Sequence, residues 1–153
     1  MFSVFKEKKC YVYSPTVGKL MTLSEVDDPV FSTGMMGPGF AIDPISEEVF
    51  APIEGKITSV FPTKHAIGIK TAQGMEVLIH IGIDTVDLNG KGFDVKVNIG
   101  DVISKKTLLV KMDHEYLKKE EKSPIVMVLF PEKKEIPSLD VGNMMLHQEI
   151  FYF

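Results

Sequence analysis

The chain is poor in several features that would have directed its reading elsewhere. It holds one cysteine, Cys10, which excludes an intramolecular disulfide framework and fits a reducing compartment. It has no excess of positive charge: the formal net charge is -4 and the pI about 5.6, against the basic face that nonspecific nucleic-acid binding requires. No apolar run reaches the roughly 20 residues of a membrane span. The opening Met1-Phe2-Ser3-Val4-Phe5-Lys6-Glu7-Lys8-Lys9 lacks the apolar stretch of a secretory signal, and so short a segment buries too little surface for firm membrane attachment. Residues 1–10 therefore read as a flexible or strand-leading tail ahead of a single domain over 11–153, expected to be cytoplasmic and monomeric.

What remains is an ordinary globular composition, 44% hydrophobic and 25% charged over 153 residues, enough for one domain with a sizeable core. Short apolar segments are punctuated by Gly and Pro, and only Asp113-His114-Glu115-Tyr116-Leu117-Lys118-Lys119-Glu120-Glu121 predicts a short helix. The rest predicts strands. Two echoes suggest internal duplication: Ser14-Pro15-Thr16-Val17-Gly18-Lys19-Leu20 returns as Ala51-Pro52-Ile53-Glu54-Gly55-Lys56-Ile57, and Ile99-Gly100-Asp101-Val102-Ile103 as Val141-Gly142-Asn143-Met144-Met145. The expected fold is an all-β antiparallel sandwich or barrel built from two related halves, with at most one or two short helices.

One run stands out chemically. Val77-Leu78-Ile79-His80-Ile81-Gly82-Ile83-Asp84-Thr85-Val86 sets an imidazole inside apolar strand sequence, and Thr63-Lys64-His65-Ala66-Ile67-Gly68-Ile69-Lys70 repeats the design upstream. Ala72-Gln73-Gly74 between them predicts a hairpin turn. A loop at Ala72-Gln73 would set His65 opposite His80; a loop at Gln73-Gly74 would pair His80 with Ile67 and His65 with Gly82. Either register puts both imidazoles on one face, with Val77, Ile79, Ile81 and Ile83 toward the core and Leu78, His80, Gly82 and Asp84 on the other side. Gly82 leaves bare backbone for a ligand's close approach. Neutral imidazole serves as metal ligand, general base or phosphoryl-accepting nucleophile.

The stretches Val26-Asp27-Asp28-Pro29-Val30-Phe31, Met35-Met36-Gly37, Gly39-Phe40-Ala41-Ile42, Ala51-Pro52-Ile53-Glu54-Gly55, His65-Ala66-Ile67-Gly68 and Leu78 to Val86 together resemble the glucose-type enzyme IIA domain of the bacterial phosphoenolpyruvate-dependent sugar phosphotransferase system. The likeness continues through Leu88, Gly90, Gly92 and Phe93 to Gly100-Asp101 and spans roughly Tyr11 to Ile150. It implies the duplicated hybrid-motif sandwich, with His80 accepting a phosphoryl group from the histidine-containing phosphocarrier protein and passing it to a cysteine of an enzyme IIB domain. His65 is then the phosphate-stabilising companion, Thr63 orients His65, and Gly82 lends backbone to the site. Asp84 stands beside the site or in the turn after it, where Asp and Thr commonly bond backbone. Val30, Phe31, Met35, Met36, Phe61 and Leu78 are the implied partner-docking surface, ringed by Asp28, Asp84 and Asp87.

Two departures bear on that surface: Leu129-Phe130-Pro131 replaces a Thr-Asn-like pair, and Pro38 stands where an acidic residue is usual. His114 and His147 have no partner at a recognisable spacing and read as surface residues. Two rivals stay open, a zinc hydrolase using His65, His80 and Asp84 and a lipoyl- or biotinyl-type carrier, the former weakened by the lack of a His-x-His pair and the latter by the lack of a Lys-centred hairpin. The expectation is no obligatory metal, with at most a weak zinc between His65 and His80.

Overall fold

The computed structural model describes residues 9–153; the expectation for the tail falls mainly outside them. Cys10 exchanges backbone hydrogen bonds with Phe153 at 3.3 and 3.0 Å. They extend the pairing of β1 (Tyr11–Tyr13) with β13 (Glu149–Tyr152), which brings the two ends of the described chain together.

The main feature is an eight-stranded antiparallel sheet. It contains β2 (Gly18–Thr22), β3 (Gly39–Pro44), β5 (Gly55–Val60), β6 (Ala66–Lys70), β7 (Glu76–Ile83), β9 (Val102–Ile103), β11 (Ser123–Leu129) and β12 (Gly142–Met144), in the order β12-β2-β3-β11-β7-β6-β5-β9. A three-stranded sheet of β4 (Glu48–Phe50), β10 (Leu108–Met112) and β8 (Phe93–Val95) accompanies it. The duplication is visible in the large sheet. The first echo leads into β2 and β5, each preceded by a buried three-residue segment, Ser14-Pro15-Thr16 or Ala51-Pro52-Ile53. The second echo supplies the strands beside them, β12 on β2 and β9 on β5, so the copies form the two ends of one sheet.

Alternation sorts the side chains onto its faces. Leu20, Phe40, Ile42, Ile67, Ile69, Ile79, Ile81, Val126 and Val128 enter the main core. Ala41, Met127 and Leu129, the intervening residues of β3 and β11, form a second apolar cluster with Leu23, Val26 and Phe31. That second face is where the predicted functional residues gather. Phe31 reaches it from α1 (Pro29–Ser32), a helix absent from the sequence expectation because four residues are too few to show periodicity. Its start is nonetheless chemically specified: Asp28 is the N-cap, its carboxylate accepting from Val30 N–H at 2.9 Å, and Pro29 occupies the first turn, where its missing N–H costs nothing.

The second helix, α2 (His114–Lys119), forms as expected and is capped by Asp113, which accepts from Tyr116 N–H. His114 and His147 are a correction. Neither lies free on the surface: both are half-buried, with His114 Nε2 and His147 Nδ1 enclosed, and the His147 ring stands edge-on to Phe50 at 5.1 Å.

Candidate functional site

The hairpin register differs from both expected ones. His80 pairs with Ala66 and Ile67 with Ile79, because the link from Thr71 to Met75 centres on Gln73 and closes through Thr71 N–H to Met75 O and Gly74 N–H to Thr71 O. Strict alternation would then send His65 to the face opposite His80. It does not, because His65 precedes the ladder: Lys64 takes a left-handed conformation, φ 62°, after a turn closed by Lys64 N–H to Phe61 O. His65 is fixed instead by its own carbonyl, which accepts from Ile81 N–H at 2.7 Å. The two imidazoles meet with ring centroids 5.0 Å apart and planes at 72°.

His80 lies across the sheet from Met127 of β11, at the margin of the second apolar cluster. Phe31 packs on its ring at 4.7 Å. Its Nδ1 is 3.0 Å from the carbonyl oxygen of Gly82; a carbonyl only accepts, so Nδ1 carries the proton and Nε2 keeps its lone pair. Burial, followed by the nearby His65, pushes the His80 pKa down to about 4, against the opposing pull of the Gly82 carbonyl and the Asp28 charge. His80 is therefore neutral at pH 7. His65 is only 7% exposed, and burial lowers its pKa as well. Its Nδ1 lies 2.5 Å from Thr63 Oγ1, and Phe61 meets its ring edge-on at 5.5 Å. A hydroxyl both donates and accepts, so this contact is compatible with either His65 tautomer; the one in which Thr63 donates to Nδ1 puts the proton on Nε2.

Gly82 is where the strand bends. Its φ is +82°, and a Cβ there would collide with Thr85 Cγ2 and lie 2.8 Å from Ser123 O. This bend corrects a second expectation: Ile83, assigned to the core side, packs with Leu78 against the second cluster. Asp84 is exposed, has φ +59°, and opens the 3-10 turn Thr85–Leu88 without a side-chain cap bond.

Of the expected docking residues, Val30, Phe61 and especially Met35, at 76% exposed, face outward, Met36 and Leu78 are half-buried, and Phe31 is 4% exposed. Phe31 thus supports the site from within, packed on His80. Thr85, which sequence reasoning placed only in the turn, is fully buried and donates its hydroxyl to Ile81 O at 2.5 Å. Among the described residues, no group of three or more His, Cys, Asp or Glu side chains is arranged to hold a metal ion. A groove of about 1030 Å³ near Cys10, Tyr13, Ile53 and Thr71 is lined by neither site histidine.

In fold and site, this is an antiparallel β-sandwich bearing a neutral histidine pair on a partly apolar sheet face. The family model described as "phosphoenolpyruvate-dependent sugar phosphotransferase system, EIIA 1" matches residues 10–136. The chain is 43% identical over 138 residues to the glucose-specific EIIA component of the phosphotransferase system of Staphylococcus epidermidis, a match covering 90% of this chain and 83% of that one. It is 41% identical over 135 residues to its counterpart in Staphylococcus aureus strain COL, covering 88% and 81% respectively. The solved structure of glucose permease IIA from Mycoplasma capricolum aligns with a TM-score of 0.90 at 36% identity, covering 98% of this chain and 99% of that one. The chain belongs to the glucose-type EIIA family of the phosphoenolpyruvate-dependent sugar phosphotransferase system.

Proposed function

We propose that this chain is a phosphoryl carrier, accepting a phosphoryl group on His80 from the histidine-containing phosphocarrier protein and delivering it to a cysteine of an enzyme IIB domain during sugar uptake. The observation that carries this reading is the His80 Nδ1 contact with the Gly82 carbonyl, which leaves an unprotonated Nε2 as nucleophile. In the accepting step the Nε2–P bond forms as the donor's N–P bond breaks, and in the delivering step a cysteine thiolate displaces His80. Such transfers depend on positioning and charge stabilisation. His65, oriented by Thr63, donates Nε2–H to a phosphoryl oxygen, and backbone near Gly82 helps hold the developing charge.

Val30, Met35 and Phe61 supply exposed apolar contact for the two protein partners, with Met36 and Leu78 beside them and Phe31 beneath. Asp84 contributes its exposed carboxylate at the rim. The reaction takes place in the cytoplasm, the chain acts as a monomer, and zinc is not required. Among the described residues, no helix is long and apolar enough to cross a membrane.

Intact mass after incubation with phosphoenolpyruvate, enzyme I and the phosphocarrier tests this. One acid-labile phosphate is expected on the wild-type chain with or without a chelator, none on His80→Ala, and acceptance but slow onward transfer for His65→Ala. Labelling that survives His80→Ala, or is abolished by chelation, overturns the reading.

A further inference from the structure

We propose that Thr85 is a positioning residue for the phosphoryl acceptor, setting which nitrogen of His80 is the nucleophile; the kinetic part of this inference rests on the carrier reading above. The tautomer of His80 depends on where the Gly82 carbonyl points, and that direction is set by the peptide units on either side of Gly82. The residue before it, Ile81, is held at both ends, and the Ile81–Gly82 peptide unit is held at its carbonyl. Ile81 N–H donates to the His65 carbonyl, and Ile81 O accepts the Thr85 hydroxyl. The chain from Ile81 to Thr85 is thereby folded back into a closed loop, with Gly82 and Asp84 both at positive φ.

Packing closes the same loop. A Cβ on Gly82 would collide with the Thr85 methyl and with Ser123 O, so Gly82 is seated between the Thr85 side chain and β11, whose register slips between Ser123 and Val126 at this point. Thr85 is fully buried, and its hydroxyl bonds to the backbone at Ile81 O. Its hydroxyl satisfies a backbone acceptor, and a buried acceptor that loses its donor drives local rearrangement. The group that rearranges is the peptide next to the carbonyl that holds the His80 proton on Nδ1. Loss of that hold lets the proton move to Nε2, and an Nε2–H imidazole has no lone pair to present to phosphorus.

The experiment compares wild type with Thr85→Val, which keeps the shape and removes the donor, and Thr85→Ser, which keeps the donor and removes the methyl. Nitrogen NMR of the ring-labelled, unphosphorylated protein at pH 7.5 reads the His80 tautomer, and single-turnover kinetics read phosphate acceptance. Wild type and Thr85→Ser are expected to hold Nδ1–H and accept phosphate at similar rates. Thr85→Val is expected to show a mixed tautomer and an acceptance rate at least about tenfold lower, with unchanged half-saturation by the donor. Should Thr85→Val fail to fold, Thr85→Ala against Thr85→Ser supplies the same comparison. A wild-type tautomer in the hydroxyl-free variant, or equal loss in the Ser and Val variants, overturns the inference. A tautomer change confined to the hydroxyl-free variant, in a protein whose wild type accepts no phosphate, upholds the role of Thr85 and overturns the carrier reading instead.

Discussion

His80 is held neutral by two effects that both oppose its charged form, burial and the neighbouring His65, which together take its pKa to about 4. The unfolded chain offers the same imidazole at about 6.5. Between these values the unfolded state binds the proton better, so stability falls as pH drops from about 6.5 toward 4, and above 6.5 this group has no effect. At one factor of ten per 1.4 kcal/mol, the full loss from this residue is roughly 3 kcal/mol. Urea unfolding at pH 7 and pH 4.5 is expected to give a steeper acid loss for wild type than for His80→Gln, the difference reporting this imidazole together with its coupling to His65. Equal acid sensitivity would mean that His80 is solvated and protonates freely. At this scale the sequence was informative. An imidazole flanked by Ile79 and Ile81 is conspicuous in any reading, whereas Thr85 was not, because its importance lies in a hydrogen bond to Ile81 O that no residue spacing reveals.

The elements around the pair are short, and each is specified by its ends. In α1 the specification is Asp28, whose carboxylate caps Val30 N–H, while Phe31, one residue beyond Val30, carries the helix against His80. Asp28→Ala is expected to lower stability by about 1 kcal/mol, and Asp28→Asn to leave it nearly unchanged, because an amide oxygen caps as well as a carboxylate. Equilibrium urea unfolding of the two variants checks this; equal losses would assign the effect to charge. Asp28-Pro29 drew no helix expectation from the sequence. The next residues, Val30-Phe31-Ser32-Thr33-Gly34, are too few for a periodic pattern, so the helix was missed. The β6–β7 hairpin was legible as a hairpin but not in register. Its link centres on one residue, Gln73, and its upstream end depends on the left-handed Lys64, a conformation that nothing in the local sequence requires.

In the molecule as a whole, the aromatic residues bind the chain's last segment to the core. Phe130 is fully buried, with Phe40, Phe151 and Phe153 around it at 6.4, 5.8 and 5.0 Å. Phe130→Ala is expected to cost about 3–5 kcal/mol, read as a lowered thermal midpoint, with the 5.0 Å contact of the two imidazoles preserved in the protein that remains folded. A loss below about 1 kcal/mol would place the C-terminal strand outside the cooperative unit. The echoes made the two-halved sandwich readable from sequence, because Ser14-Pro15 and Ala51-Pro52 each lead a buried segment into a strand. The joining of β1 with β13 was not readable, since it depends on residues at opposite ends of the chain.

Those same echoes also determine how the large sheet terminates. Its outermost strands, β9 and β12, are two and three residues long, and near them Val102 and Met145 are exposed where a charge or a proline would ordinarily discourage a visiting strand. The safeguard is brevity. With so few N–H and C=O groups on β9 and β12 themselves, these two strands offer a second molecule little template on which to extend the sheet, and what guards them is their shortness.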